Sequence, residues 1–234
     1  MTSTATILAI ETATSSCSVA LNHSGQVFER HEVGNNVHSK VLLEMVQSVL
    51  AQANIDIQIL DAVAVGQGPG SFTGLRIGVG VAQGIAYGAD VPMIGISSLD
   101  ALANQANISG NVIAGIDARM GEIYWAQYSK AEQGVSRVSD LAVSAPEDIV
   151  SINSDETLNL VGNAWEEYKG RFNEDMMAIS KIDEAQIYPM ASSILELAQQ
   201  DYQQGKLITA IDFAPEYVRN DVAKKSTKNL LKKS

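Results

Sequence analysis

Residues Gly66 to Gly88 read GQGPGSFTGLRIGVGVAQGIAYG, and this run constrains the fold more than any other part of the chain. It follows a short apolar strand, Asp61 to Val65, and continues at helical spacing. At 100° per residue, Gly74, Gly78, Gly80, Gly84 and Gly88 fall within about half of a helix circumference. Each glycine costs roughly 0.8–1 kcal/mol against alanine, so the set costs about 4–5 kcal/mol unless close packing offsets it. Leu75, Val79, Ala82 and Ala86 form the opposite side, a normal core face. A helix apolar on two faces is covered on both. The glycine side admits a second helix at short range, either one from the same chain, such as that at 37–50, or one from a partner.

The same run excludes several chemistries. No glycine is followed by Lys and then Ser or Thr, so it is not a Walker phosphate loop. It lacks GxGxxG, and Ser71 is not flanked as in a nucleophile elbow. The amides of Gly66 to Gly70, between strand and helix, are still placed to cradle an anion, a weak signal.

Around this segment the sequence alternates strands and helices. Residues 6–10 predict a buried strand, and Cys17 to Leu21 and Gln26 to His31 two more, joined by Asn22-His23-Ser24-Gly25. Apolar spacing predicts a helix from Val37 to Leu50, with Asn35 or Asn36 as its cap. Val91 to Ile96 predicts a strand, and Ser97-Ser98 caps a helix through Ala106. A polar stretch at 107–111 marks a lobe boundary. Strands follow at Asn111–Asp117, Glu122–Tyr128, about Ser136–Val143 and Leu158–Gly162, with helices near Trp165 and from Ser192 to Gln203. The opening ILAIETATSSCSVAL recurs in outline as VIAGIDARMGEIYWA at 112–126, which suggests two related lobes. A chain of 234 residues is long enough for two such lobes with cores of their own.

Charge and composition narrow the function. Taking the five lysines of 224–234 from the net of −11 leaves −16 on residues 1–223, a body that repels a phosphate backbone. The basic end, KKSTKNLLKKS, is either a nucleic-acid or partner contact or a solvated, disordered tail. No apolar run approaches the ~18 residues of a membrane span. The amino terminus lacks a basic region, and Glu11 and hydroxyls interrupt any hydrophobic one, so a cytoplasmic protein is expected. The single cysteine, Cys17, rules out an internal disulfide and is expected as a small buried hydrophobe.

Candidate chemistry is sparse. Glu11 beside Thr12, Thr14, Ser15 and Ser16 resembles a phosphate-holding turn with an acid for a metal-bound water, or plain turn chemistry. His23, His31 and His38 form no HxxxH or HExxH pair, and only His38, at the start of a helix, stands out. Asp117, Arg119 and Glu122 surround the second turn, where a local ion pair is the alternative to a second phosphate loop. No Gly-Gly dipeptide offers a shelf for an adenosine.

Together ILAIETAT…CSVAL, His38-Ser39, GQGPGSFTGLRIG, VPMIGISSLDALA, IDARMGEIY, Gly162-Asn163 and PEYVRNDVA resemble the TsaB (YeaZ) family, along nearly the whole chain. GPGSFTGLRIG is the most specific of them. The resemblance implies an α/β actin/Hsp70-like (ASKHA, RNase H-like) fold of two lobes with mixed sheets flanked by helices. The first lobe would be 1–106, completed by about 210–223, the second 107–209, with 224–234 as a disordered tail. It further implies a non-catalytic activator in the machinery that places threonylcarbamoyl on N6 of adenosine 37 in tRNAs reading ANN codons (t6A). There a related subunit, TsaD, carries the metal and transfers the group, TsaE is a small ATPase, and a separate enzyme makes the adenylate. Docking on TsaD through first-lobe helices maps onto His38, Val41, Leu42, Met45, Gly74, Arg76, Gly78, Val81, Gly84 and Ile85. Glu11, Thr12, Thr14 and Ser15 would be a vestigial phosphate site, with no catalytic residue, metal or cofactor. A homodimer through the same face is expected when the partner is absent, and tRNA is met only through the complex. The alternatives are an ATP-dependent ASKHA phosphotransferase or ATPase and, last, a glycopeptidase.

Overall fold

The computed structural model describes residues 4–34, 36–132, 134–151 and 157–218. Its first sheet contains β1 (Ile7–Glu11), β2 (Ser16–His23), β3 (Gln26–Val33), β4 (Ala62–Gly68) and β5 (Met93–Ser97), in the order β3-β2-β1-β4-β5. β1, β2 and β3 pair antiparallel, whereas β4 and β5 run parallel to β1. β1 is buried at every position, as a central strand covered on both faces must be.

Alternation along the strands sorts the core into two layers. Leu8, Ile10, Val19, Leu21, Val63 and Val65 face α1 (His38–Ala53) and α2 (Phe72–Ala89), which add Leu42, Met45, Val46, Val49, Val79, Ala82 and Ala86. Ile7, Ala9, Ala20, Ala62 and Ala64 face the other way, against Ala191, Ile194, Leu195 and Ala198 of α6 (Ala191–Gln203). Four alanines on that face let α6 sit close to the sheet.

The second sheet repeats the plan with β6 (Gly110–Asp117), β7 (Ile123–Ala131), β8 (Gly134–Arg137), β9 (Ala142–Ser144), β10 (Leu158–Val161) and β11 (Ser180–Ile182), in the order β11-β10-β6-β7-β8 with β9 also on β7. The antiparallel β6–β7 hairpin and parallel β10 echo β1–β2 and β4. α3 (Ser98–Asn104) packs Leu99, Leu102 and Ala103 on one face, with Val112, Ala114 and Tyr128. Trp165 of α4 (Ala164–Glu167) and Met176 of α5 (Glu174–Ala178) cover the other, with Ile113, Trp125 and Leu160. This is the two-lobed ASKHA, RNase H-like arrangement expected from the sequence.

Several expectations need correction. The helix at 191–203, grouped above with the second lobe, lies on the first sheet, because its apolar stripe finds the alanine-rich face there. Asn36 is not the cap of α1: the N-cap is Val37, without a side-chain hydrogen bond, and Asn35 lies outside the described residues. Ser97 makes no capping bond to α3, which ends at Asn104 rather than Ala106, and the Ser98 hydroxyl is drawn inward to Glu11. The single strand expected at 136–143 is two, β8 and β9, because Ser139 turns its hydroxyl to the Gln127 amide between them. α5 and β11 were not foreseen. After α6 the chain returns to the first sheet. Ile208 exchanges two backbone hydrogen bonds with Met93, Phe213 enters the first core, and the Glu216 amide donates to the Gln67 carbonyl at 2.8 Å. The basic segment 224–234 lies outside the described residues, and no helix among those described is long and apolar enough to cross a membrane.

Candidate docking face and the adjoining cleft

α2 begins at Ser71, whose hydroxyl accepts the Gly74 amide at 3.3 Å. The five glycines do not form one uniform face. A Cβ on Gly74 would stand 2.2 Å from the Thr12 carbonyl oxygen, and one on Gly78 2.1 Å from Thr12 Oγ1. Those two glycines therefore receive the β1–β2 turn. The Thr12 hydroxyl donates to the Gly74 carbonyl at 2.9 Å. At Gly80 and Gly84 a Cβ would meet nothing within 4 Å, and at Gly88 only Ile57, at 3.8 Å. No described helix lies on the glycine side as expected: the Cβ positions there meet the β1–β2 turn, Ile57 or nothing. α1 flanks α2 along Ile77, Val81 and Ile85, and the crest at Gly80 and Gly84 stays open.

The residues assigned to docking thus separate. Leu42 and Met45 are core, and His38 is buried with Nε2 3.2 Å from the Ser16 carbonyl. Val41, Val81 and Ile85 are half-buried at the α1–α2 seam, Arg76 and Gly84 are exposed, and Gly74 and Gly78 point inward. Arg76 lies over the Phe72 ring at 3.7 Å, and its Nε donates to the Tyr217 hydroxyl at 3.2 Å. The docking assignment left out Gly80, although the glycine spacing had included it, and Tyr87 (73% exposed) on the same arc; Leu43 of α1 is also exposed, at 58%. The signal for Tyr87 was its helical position, within about 60° of arc of Gly80 and Gly84, but only burial shows which arc is bare.

Beside the start of α2 a cleft of about 460 Å³ opens between the two sheets. Thr14 and Ser15 line it with Gly70, Ser71, Phe72, Asp117, Arg119 and Tyr217, whereas Glu11 and Thr12 do not. Glu11 is wholly buried: one carboxylate oxygen accepts the Ala13 amide at 2.6 Å, the other the Ser98 hydroxyl at 2.8 Å. Gly66 leaves room for it, since a Cβ there would meet the carboxylate at 2.1 Å. Burial raises the Glu11 pKa from 4.5 to about 7, the hydrogen bonds opposing this in part. Of the four candidate phosphate residues, two face the cleft and two are used inside the protein.

Across the cleft, Asp117 accepts the Tyr168 hydroxyl at 2.6 Å and the Arg119 amide at 2.7 Å, and Arg119 Nη1 lies 3.0 Å from its other oxygen. The local ion pair considered for Asp117 and Arg119 is therefore formed. The histidines stand apart: His23 Nδ1 is 3.2 Å from Thr6 Oγ1, and His31 Nε2 is 2.8 Å from Ser16 Oγ. Among the described residues no three His, Cys, Asp or Glu side chains are grouped to hold a metal ion. Cys17 is buried, and burial pushes its thiol up to about 11, so it stays protonated at neutral pH.

Residues 32–227 match the family model described as TsaD: tRNA N6-adenosine threonylcarbamoyltransferase. The tRNA threonylcarbamoyladenosine biosynthesis protein TsaB of Escherichia coli K12 is 38% identical over 223 residues, covering 93% of this chain and 96% of that one. Its Haemophilus influenzae counterpart is also 38% identical, over 229 residues, covering 93% and 94%. The solved structure of YeaZ from Pseudomonas aeruginosa superposes with a TM-score of 0.85 at 34% identity, covering 92% of this chain and all of that one. With this fold, this cleft and these relatives, the chain belongs to the TsaB family of tRNA threonylcarbamoyladenosine biosynthesis proteins.

Proposed function

We propose that this chain is a non-catalytic subunit that docks on a TsaD-like threonylcarbamoyltransferase and activates it for t6A formation on tRNA in the cytoplasm. The observation that carries the reading is the open crest of α2. A Cβ added at Gly80 or Gly84 would have nothing within 4 Å, yet the neighbouring positions of the same helix, Ile77, Val81 and Ile85, are half-buried and apolar. A helix that bears two bare glycines, at roughly 0.8–1 kcal/mol each, gains from a neighbour seated directly on its backbone. The enclosure of Glu11 and Thr12 supports the absence of chemistry at this subunit, since an acid that reaches no solvent holds no metal-bound water. A TsaE-like ATPase would join the heterodimer, tRNA would be met through the assembly, and a second copy would take the same face when the partner is missing.

Gly84→Leu is the test. It should abolish co-purification with the TsaD-like subunit and t6A formation in a reconstituted reaction, while the melting curve of the isolated chain barely moves. Unchanged partner affinity would sink the proposal. The competing phosphotransferase reading predicts heat of binding when ATP and Mg²⁺ are titrated into the cleft, and the docking reading expects none at millimolar nucleotide.

A further inference from the structure

We infer that Thr12 is a positioning residue for docking: the turn that floors the cleft serves as the seat of α2 and sets the height of its open crest. This rests on the docking reading above and adds what fixes the helix from below. Four contacts bind the turn to the helix start. The Thr12 hydroxyl donates to the Gly74 carbonyl at 2.9 Å, and the Ser71 amide donates to the Ala13 carbonyl at 2.7 Å. The Thr12 carbonyl fills the place of a Gly74 side chain, and Thr12 Oγ1 that of a Gly78 side chain, at 2.2 and 2.1 Å. Gly70 is held in the same way, with its Cβ position 2.3 Å from the Ala13 carbonyl.

These distances leave no slack. A methyl at Gly78 cannot coexist with Thr12 Oγ1 where it stands, so either the helix lifts or the hydroxyl gives up its bond to the Gly74 carbonyl. Gly80 and Gly84 follow in the next two turns of the same rigid helix, and a lift at Gly78 displaces them toward the partner. The inward glycines thus act on docking through Thr12, whereas the outward ones act by contact. Thr12 occupies a place where a hydroxyl would serve a phosphate, but its hydroxyl is given to a helix carbonyl 62 residues away.

The experiment is a double-mutant cycle read as affinity for the TsaD-like subunit by calorimetry, with thermal melts of each isolated variant. Gly78→Ala is expected to weaken binding about tenfold or more, and adding Thr12→Ala to restore it to within about threefold of Thr12→Ala alone. In that double variant the nearest atom to the new methyl becomes the residue 12 Cβ, at 3.3 Å. Gly84→Leu should gain nothing from Thr12→Ala. A double variant as weak as Gly78→Ala overturns the inference, whereas a harmless Gly84→Leu overturns the docking reading instead. If Gly78→Ala does not fold, Thr12→Val and Thr12→Ser decide. Loss of affinity in the valine variant with recovery in the serine variant supports positioning by the hydroxyl, and a valine variant that binds like the parent refutes it.

Discussion

Replacing Glu11 by glutamine is expected to remove a pH dependence of stability that the parent chain carries between about pH 4.5 and 7. Glu11 has no exposed surface, and burial, the dominant influence, holds its pKa near 7 against an ordinary 4.5. Below 4.5 both folded and unfolded chains keep the proton, and the folded state bears no penalty. Between 4.5 and 7 the unfolded chain releases it while the folded chain retains it, so stability falls as pH rises. Above 7 the carboxylate is ionised in both states, and the full penalty applies. That interval corresponds to roughly 3 kcal/mol.

Glutamine keeps the shape of the site. Its carbonyl oxygen accepts the Ala13 amide, and its NH2 donates to the Ser98 hydroxyl, which reverses the sense of the existing bond. At pH 8 the Glu11→Gln chain should therefore be more stable than the parent by up to about 3 kcal/mol, or about 6–12 °C in melting temperature. At pH 4 the two should agree within about 1 kcal/mol. Urea unfolding at several pH values, followed by far-ultraviolet circular dichroism, gives the comparison. Tryptophan fluorescence is the wrong probe, because Trp125 and Trp165 both sit in the second core. All other titrating groups are common to both chains and cancel in the difference. Parallel stability curves from pH 5 to 8 would refute the reasoning, since they would mean that Glu11 titrates as if it were in water.

Two further substitutions test other parts of the structure. Leu42→Ala removes a side chain buried in the first core and should destabilise the isolated chain by about 2–5 kcal/mol in urea. Lost partner binding at unchanged stability would instead make Leu42 a contact residue. Asp90 ends α2 in the left-handed region at φ 57°, with its carboxylate at the negative end of the helix dipole. Asp90→Gly should raise stability by about 1 kcal/mol, read as a higher urea midpoint at equal slope. A lower midpoint would mean that the aspartate makes a compensating contact.

What the sequence could reveal was bounded by how far apart the interacting residues lie. The glycine spacing identifies a close-packed helix because period and composition are local properties of 66–88. It does not reveal that Gly74 and Gly78 pack inward while Gly80 and Gly84 stay bare, since that division depends on where α2 crosses a turn near residue 12. Glu11 and its hydroxyl neighbours have the composition of a phosphate turn, and Ala13, Thr14 and Ser15 of that turn line the cleft. What encloses Glu11 is Ser98, 87 residues away, together with the missing side chain of Gly66. The helix at 191–203 was legible from its apolar stripe, but its sheet was not. Its seat is built from Ala9, Ala20, Ala62 and Ala64, which come together only once the register of three strands is set. In each case the local pattern specifies an element and long-range pairing specifies its use. Thr12 has the residue type of a ligand turn, yet its hydroxyl is given to the Gly74 carbonyl, so the role proposed for it follows from what lies against it.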